Sequence, residues 1–311
     1  MNNKKSSGKR LGIIVNPIAG RGRAVRGEER IVRYLRSKRH AFCIEHTNGP
    51  GHATALARRM CREFDILLAA GGDGTVNEVA CGMIRGTAAL SVLPIGSGND
   101  FGRLLGIPNN VEHAIDRILS GTIRHFDMGV IAVRNIHGDI RRRFFVNTVG
   151  MGLDAEIANE TKQIRILRGL PLYLFAAIRA LRRHVPNEYA IVQKGKRRKQ
   201  NAFFVCAGNG PYEGGGFRMI PDARPDDQML HWCMVQAVPL YRALHLIPRM
   251  LRGSHTEYPI VSTWKSNKAT IIGTQPFIVH VDGEIVDDRA RQVDIALAAE
   301  QLKVIGLEGQ E

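Results

Sequence analysis

Leu67-Leu68-Ala69-Ala70-Gly71-Gly72-Asp73-Gly74-Thr75-Val76-Asn77-Glu78-Val79 is the stretch on which the reading of the fold turns. Phe64 to Ala70 is a mostly apolar run, too short for a helix and closed by paired glycines, so it predicts a buried strand. Thr75 then opens a predicted helix running to about Arg85, and Thr75-x-x-Glu78 fits a capping box. A strand, a glycine turn and a helix N-terminus form an anion cradle, because backbone N–H groups and the helix dipole both favour phosphate. An acid inside such a cradle would repel phosphate. Asp73 therefore points either to a water-mediated Mg²⁺ contact or to a proton acceptor beside a reacting phosphoryl group. The plain alternative is a Gly-Asp-Gly turn chosen for positive φ. The spacing is neither that of a P-loop nor the GxGxxG of a dinucleotide site.

Upstream, Leu11 to Val15 reads as a buried strand stopped by Asn16-Pro17 and followed by the glycine-basic turn Ala19 to Arg23. A helix carrying Val25, Ile31, Val32 and Leu35 comes next, then a strand at Phe42 to Glu45 and a helix from Gly51-His52-Ala53 to about Arg62. Downstream, the strand Ala89 to Leu93 ends in Pro94-Ile95-Gly96-Ser97-Gly98-Asn99-Asp100-Phe101, with a helix around Val111 to Leu119. Strands alternating with helices predict an open parallel α/β sheet. Ligands of such sheets bind at the carboxyl ends of the strands. Three special loops fall on that edge: Asn16-Pro17, Gly71 to Gly74, and Gly96 to Asp100. Asn99 can donate to a phosphate oxygen and Asp100 can hold a water-bound Mg²⁺, or the pair simply caps a turn.

From about Phe126 the texture changes to short alternating segments: Met128 to Val133, Arg143 to Val149, Tyr189 to Gln193, Ala202 to Ala207, Leu230 to Val238, Ala269 to Ile272 and Phe277 to Val281. That is the pattern of an antiparallel sandwich or barrel. One long helical piece, roughly Glu156 to Arg183, interrupts it. The domains expected are residues 10–126, residues 127–300, and a final strand at Gln301 to Ile305 that either returns to the first domain or closes the second. Residues 1–9 read as a disordered basic tail.

The 311 residues carry 44 Lys+Arg against 29 Asp+Glu, a net charge of +15 with pI near 10.1. Such an excess points to an anionic partner: nucleic acid, acidic lipid or a polyphosphate. Five scattered cysteines without a CxxC pair argue against a disulfide scaffold or a zinc site, and fit a reducing cytoplasm. No signal peptide opens the chain, and no apolar run reaches the roughly 18–20 residues of a membrane span.

Two further clusters carry chemistry. The glycine-rich loop Asn209 to Gly216 runs into Pro221-Asp222-Ala223-Arg224-Pro225-Asp226-Asp227, whose carboxylates suit a hard cation or a solvated acidic turn. Val281-Asp282-Gly283-Glu284 places a carboxylate where it can accept a hydroxyl proton, with an Asp-Gly hairpin turn as the plain alternative.

Together, Val15-Asn16-Pro17, Gly71-Gly72-Asp73-Gly74-Thr75 with Asn77-Glu78, Gly96-Ser97-Gly98-Asn99-Asp100-Phe101 and Asp282-Gly283-Glu284 resemble the soluble diacylglycerol kinase family of bacterial lipid kinases, sphingosine kinases and ceramide kinases. Phe126-Asp127-Met128-Gly129 and Asn147 to Ala155 add to the resemblance, which covers nearly the whole chain in order. It implies a three-layer α/β nucleotide-binding domain and a C-terminal β-sandwich, with the active site in the cleft between them. It implies that Asn16, Gly71, Gly72, Gly74, Thr75, Gly96, Gly98 and Asn99 hold ATP. Asp73, Asp100 and Asp127 would form a carboxylate–water–Mg²⁺ network. Asp227 would bind a second, structural Mg²⁺ with the carbonyls of Arg224 and Met229. Glu284 would be the base, with Asp73 the second choice. The family usually has Gly where this chain has Gln228, which puts the structural metal in question.

The reading is an ATP- and Mg²⁺-dependent lipid kinase, cytoplasmic and peripherally associated with an anionic membrane, with diacylglycerol as the default acceptor. The piece Ile164 to Arg183 could line an acyl pocket or pack on the sandwich. Arg141 to Arg143 and Lys194 to Lys199 add basic charge, the latter as a solvated hairpin tip. The rivals are a kinase of a soluble acceptor such as NAD and a non-catalytic basic nucleic-acid-binding protein. Against the second, only 6% of residues are aromatic and no reader motif is present. No specific nucleic acid is expected, and a homodimer stays open.

Overall fold

The structure is a computed structural model that describes residues 9–164, 166–167 and 169–306. The basic tail expected at the N-terminus therefore lies outside the described residues apart from its last residue. So do Arg165 and Arg168 of the arginine-bracketed piece, the last five residues, and the side chain of Val25. The chain divides into two compact units, one of residues up to Phe126 together with those from Glu300 onward, the other of Asp127–Ala299.

The first unit runs β1 (Leu11–Val15), α1 (Arg23–Ser37), β2 (Phe42–His46), α2 (His52–Met60), β3 (Ile66–Gly71), α3 (Asp73–Gly82), β4 (Ala89–Pro94), α4 (Asp100–Leu104) and α5 (Val111–Ser120). The strands pair in parallel in the order β2-β1-β3-β4. Residues 301–306 add a fifth parallel strand beside β4, with Val304 opposite Leu90 and Ser91 Oγ donating to the Ile305 carbonyl. The last strand thus returns to this unit. β1, β3 and all of β4 but Pro94 are buried, which is why their sequences are unbroken apolar runs rather than alternating ones. From β1 the chain steps outward to β2 and then crosses back to β3 on the other side. The carboxyl ends of β1 and β3 therefore sit at a topological switch point, where an α/β sheet leaves a crevice for ligands.

The capping box expected at Thr75 and Glu78 does not form. α3 begins two residues earlier, with Gly72 as its N-cap. Glu78 instead accepts the N–H groups of Gly51 (2.8 Å) and Ala53 (3.1 Å) at the start of α2. The reason is packing: α2 lies against α3, close enough that a Cβ on Gly82 would meet the Thr54 carbonyl at 2.4 Å. The free N–H groups of α2 are then nearer to the carboxylate than those of its own helix.

The second unit contains β5 (Thr122–Asn135, which begins in the first unit), β6 (Ile140–Phe145), β7 (Thr148–Gly152), α6 (Leu153–Gln163), α7 (Gly169–Leu181), β8 (Asn187–Gln193), β9 (Lys196–Gly208), β10 (Leu230–Gln236), α8 (Leu240–Arg252), β11 (Val261–Ser266), β12 (Lys268–Val281) and β13 (Glu284–Gly306, which runs on into the first). The pairings between β5 and β6 and among β7 to β13 are antiparallel. β9 and β12 each carry two partners end to end: their halves nearer the β8 hairpin pair with β8, and their other halves with β7. Period-2 alternation divides the side chains between two cores. From β10, Leu230, Trp232 and Met234 enter one core with Tyr189 and Phe277, while Cys233 and Val235 enter another with Ala180, Ala243 and Leu246 of the covering helices.

Three expectations are corrected here. The long helical piece is two helices, α6 and α7, separated around Ile164 to Leu167, with Gly169 at φ +57 where the chain turns. Arg143 to Val149 is not one strand: the chain breaks at Val146-Asn147, where both backbone N–H groups turn to the Asp282 carboxylate. Ala269 to Ile272 and Phe277 to Val281 are one long strand, β12, whose register shifts replace the expected turn. The helix α8 and strand β11 were not anticipated, although Tyr241 to Arg252 has apolar residues at helical spacing.

Candidate active site

In the first unit the two glycine loops are fastened to each other. Ile95 and Gly96 both donate backbone N–H groups to the Gly71 carbonyl, at 3.2 and 3.0 Å. The loops touch at Gly72 and Gly96, where a Cβ on Gly96 would stand 2.4 Å from the Gly72 Cα. Neither loop can therefore move without the other. Gly71 has no room either, since its Cβ would meet Thr75 Oγ1 at 2.5 Å.

Beneath this junction lies the N-terminus of α3. Gly72 offers no side chain to its first N–H groups, which leaves them for an anion. Asn16, just past β1, reaches across with its Nδ2 donating to Thr75 Oγ1 at 3.0 Å. Arg23 braces the second loop from outside, with one guanidinium nitrogen donating to the carbonyls of Gly96 (2.7 Å) and Ile95 (3.2 Å).

Asp73 spans the two loops. Its Oδ1 accepts the Phe101 N–H at 3.2 Å, so the carboxylate of the first loop caps the short helix α4 that follows the second. Burial pushes the Asp73 carboxyl above its ordinary range, while the N–H groups of Phe101, Asp100 and Asn99 pull against it. Asn99 takes a left-handed conformation (φ +56) and donates to the Gly96 carbonyl at 3.1 Å. Its Oδ1 is buried without a hydrogen-bond partner, an acceptor waiting on a donor that the chain does not supply. Asp100 is buried and tied to Arg103 at 2.6 Å. Gly98 contributes its carbonyl to Arg103 at 3.5 Å. The structure thus brings together Asn16, Gly71, Gly72, Asp73, Gly74, Thr75, Gly96, Gly98, Asn99 and Asp100. It adds Arg23, which sequence reasoning had only as part of a glycine-basic turn.

The second unit holds the remaining residues. Asp127 is buried; its Oδ2 accepts the Gln228 N–H at 2.7 Å and its own N–H donates to the Pro225 carbonyl. Asn209 donates to the Asp127 carbonyl at 2.8 Å, so the acidic loop closes around this aspartate. Gln228 takes φ +58, the left-handed angle that glycine would supply; a non-glycine residue bears this at a cost of about 1 kcal/mol.

The Asp227 carboxylate is already occupied. Its Oδ2 meets His231 Nε2 at 2.9 Å and Lys265 Nζ at 3.1 Å, and its Oδ1 accepts the Met229 N–H at 3.2 Å. Burial alone would raise its affinity for a proton, but His231 and Lys265 together hold the carboxyl below its ordinary range. An ammonium at this oxygen does the neutralising that a divalent cation would do. The donor set of Asp227 with the Arg224 and Met229 carbonyls therefore does not fit a structural Mg²⁺ in this chain. Asp73 does fit a water-mediated Mg²⁺, as a hard oxygen donor at the mouth of the cradle; Asp100, held by the Arg103 guanidinium at 2.6 Å, is neutralised in the way Asp227 is.

Asp282 and Gly283 are the central residues of a two-residue hairpin between β12 and β13, both at positive φ (+47 and +81), with Val281 opposite Glu284. That is the geometry of a type I′ turn, for which Asp-Gly is a favoured pair. The plain reading of this motif holds, and it does not exclude the other, because the turn is built to present Glu284. The Asp282 carboxylate accepts the N–H groups of Val146, Asn147 and Thr148 at 2.8–3.0 Å, which fixes the turn from one side. Glu284 itself is exposed and meets Lys162 of α6 at 2.8 Å.

Comparison with known proteins agrees with this geometry. Residues 10–131 match the diacylglycerol kinase catalytic domain family, and residues 147–305 match the YegS C-terminal NAD kinase beta sandwich-like domain family. The chain is 29% identical over 280 residues to a diacylglycerol kinase of Staphylococcus aureus (strain bovine RF122 / ET3-1), covering 89% of this chain and 86% of that one. It is 28% identical over 284 residues to the diacylglycerol kinase of Bacillus subtilis (strain 168), covering 89% and 90%. A solved diacylglycerol kinase from Bacillus anthracis str. Sterne superposes with a TM-score of 0.72 at 24% identity, over 97% of this chain and 98% of that one. A second solved chain from that organism gives 0.76 at 25% identity over the same shares. With a catalytic-domain match over the phosphate cradle and a sandwich-domain match over more than half of the chain, this protein belongs to the diacylglycerol kinase family and is an ATP-dependent lipid kinase.

Proposed function

We propose that the protein transfers the γ-phosphoryl group of Mg·ATP to the hydroxyl of diacylglycerol or a related long-chain lipid. The observation that carries this reading is the locked pair of glycine loops over the N-terminus of α3, with Asp73 spanning them. The free N–H groups of that helix hold the phosphates, and Thr75 and Asn16 line the same strand ends. Held at Asp73 through water, Mg²⁺ would supply charge neutralisation on the phosphate oxygens. The lipid hydroxyl oxygen forms a bond to the γ-phosphorus as the bond from that phosphorus to the β,γ-bridging oxygen breaks. ADP leaves with the bridging oxygen, and Glu284 takes the hydroxyl proton. Asp73 is the second choice because its Oδ1 is committed to the N-terminus of α4. Phosphate N–H donors fixed in advance lower the barrier because they need not reorganise as charge develops.

One observation supports a membrane-borne acceptor. α8 exposes Tyr241 and Leu244 between Arg242, Arg249 and Arg252, with no acidic residue from Pro239 to Thr256. An apolar stripe flanked by arginines suits an anionic lipid surface, where each cation is worth on the order of 1 kcal/mol.

The test is transfer of labelled γ-phosphate from Mg·ATP into an extracted lipid pool, with Asp73→Ala alongside and NAD as a competing soluble acceptor. Label in a lipid, lost in the variant, is expected, and its chromatographic mobility names the acceptor. Label in NAD and none in lipid would overturn the reading.

A further inference from the structure

Three ionisable side chains to which the sequence reading gave no role, and which the phosphate cradle does not use, meet inside the second unit. His280 of β12 is fully buried, and its Nε2 lies 2.7 Å from Glu213 Oε1 and 3.2 Å from Asp154 Oδ2. Asp154 opens α6, and Glu213 sits in the glycine-rich loop, where it exchanges two backbone hydrogen bonds with Phe217. All three are at least nine-tenths buried. The space for them is made by Gly150, whose Cβ would stand 2.0 Å from Asp154 Oδ2 and 2.2 Å from His280 Nε2. Buried charge of this kind is costly unless every member is paired, so a cluster this enclosed requires an explanation.

The other imidazole nitrogen supplies it. His280 Nδ1 lies 3.2 Å from the backbone nitrogen of Gly283, in the hairpin turn that presents Glu284. An N–H can donate there only if Nδ1 is bare, which puts the imidazole proton on Nε2, facing the two carboxylates. The same α6 that contributes Asp154 at its first turn contributes Lys162, the partner of Glu284, two turns later.

We propose that Asp154, Glu213 and His280 form an internal brace that sets the Asp282-Gly283-Glu284 turn, making His280 a positioning residue for the Glu284 carboxylate. The inference rests on the reading of Glu284 as the base. Asp282 holds the turn through the N–H groups of residues 146–148, and His280 holds it separately through Gly283. Together they leave the two positive-φ residues no freedom to tilt.

The brace has two places for one proton. On Glu213 it leaves Nδ1 bare and the turn held. On Nδ1 it sets two donors against each other and releases Gly283. Burial and the neighbouring Asp154 push the Glu213 carboxyl up to about 7, which favours the first place. On His280 burial opposes charge, but Glu213 and Asp154 outweigh it and favour the second. The Gly283 N–H tips the balance back by excluding a proton from Nδ1. Acidification fills both places. The titratable groups facing the imidazole are Asp154 on α6 and Glu213 on the loop. The Cys206 thiol stands one strand beyond Gly150 and is raised well above its ordinary range. Asp282 and Glu284 lie on the turn itself.

The test uses the full chain carrying Glu213→Gln, which removes the carboxylate that would otherwise be stranded, combined with either His280→Leu or His280→Asn. Asparagine keeps an acceptor close to where Nδ1 sits; leucine does not. Hydrogen exchange at the Gly283 amide is expected to speed up at least tenfold in the leucine variant, since an amide without an acceptor opens locally. kcat is expected to fall about 10²-fold with the KM for ATP unchanged, the effect of a base displaced by an ångström. Asparagine restores both. Unchanged Gly283 exchange in the leucine variant, or faster exchange with unchanged kcat, would overturn the proposal. Glu284→Gln run in parallel separates the two ideas. If it leaves kcat intact while Gly283 exchange still answers to His280, the base assignment fails and the brace stands.

Discussion

Gly96→Ala puts the cradle to its sharpest test. The added methyl would stand 2.4 Å from the Gly72 Cα, 2.8 Å from Asn99 Oδ1 and 3.1 Å from the Gly72 nitrogen. Two of those three atoms are backbone, so no rotamer change relieves the clash. Ordinary contact begins at 3.4 Å, so the two loops must part by about 1.0 Å, the difference between 3.4 and 2.4. That movement strains the bonds from Ile95 and Gly96 to the Gly71 carbonyl and carries Asp73 away from α4. A misplacement of this size costs about 10²-fold in rate, or roughly 2.7 kcal/mol of transition-state stabilisation. Overpacking adds a folding cost of about 1–3 kcal/mol, visible as a lowered Tm. The assay is initial-rate phosphoryl transfer at varied ATP with lipid fixed, on protein kept well below its melting temperature. Gly49→Ala is the control, because its Cβ meets nothing within 4 Å and its φ is not positive. If Gly96→Ala keeps the kcat/KM for ATP of the parent, the two loops are not the nucleotide site.

Glu78→Ala is expected to lower stability by about 1–2 kcal/mol, the worth of a cap, while leaving phosphate binding at α3 in place; urea unfolding followed by circular dichroism measures it. Stability should fall as pH rises from about 4.5 to 7, because Glu213 has a folded value (about 7) above its ordinary 4.5 and so favours folding most when protonated. Glu213→Gln should flatten the melting curve across that window. Addition of EDTA without nucleotide is expected to leave Tm within a degree, since Lys265 and His231 already neutralise Asp227. Lys265→Met should lower Tm and make it respond to Mg²⁺, as the freed carboxylate gains a ligand; a chelator-sensitive parent protein would contradict this.

Much of the first unit was legible because its signals are local. A strand buried on both faces must be an unbroken apolar run, and the glycines at 71 and 96 stand where no side chain fits. The capping box misled for an equally physical reason. Thr75-x-x-Glu78 describes one helix, whereas Glu78 answers to α2, which lies some 25 residues earlier and is brought near only by packing. The second unit was legible as alternating segments but not in its joins. Val146 and Asn147 look like strand residues, and only Asp282, 135 residues away from Asn147, turns their N–H groups aside. The triad was invisible for the same reason: Asp154, Glu213 and His280 lie on a helix, a loop and a strand, and nothing in their spacing announces a meeting.

The two halves of the chemistry are held by different physics, and the residues show it. The phosphate side is built largely from backbone, glycines in contact and free N–H groups, with Asp73, Asn16 and Arg23 bracing them. The proton side is built from buried charge: Asp282 on three N–H groups, His280 on a fourth, and two carboxylates behind the imidazole. Backbone contact is insensitive to pH, whereas buried charge is not. The pH response of the reaction should therefore reside in kcat, through the turn that carries Glu284. The KM for ATP should stay flat across the window in which Glu213 and His280 exchange their proton. A KM for ATP that tracks that window while kcat stays level would place the titrating machinery at the glycine loops instead, and would undo this division of labour.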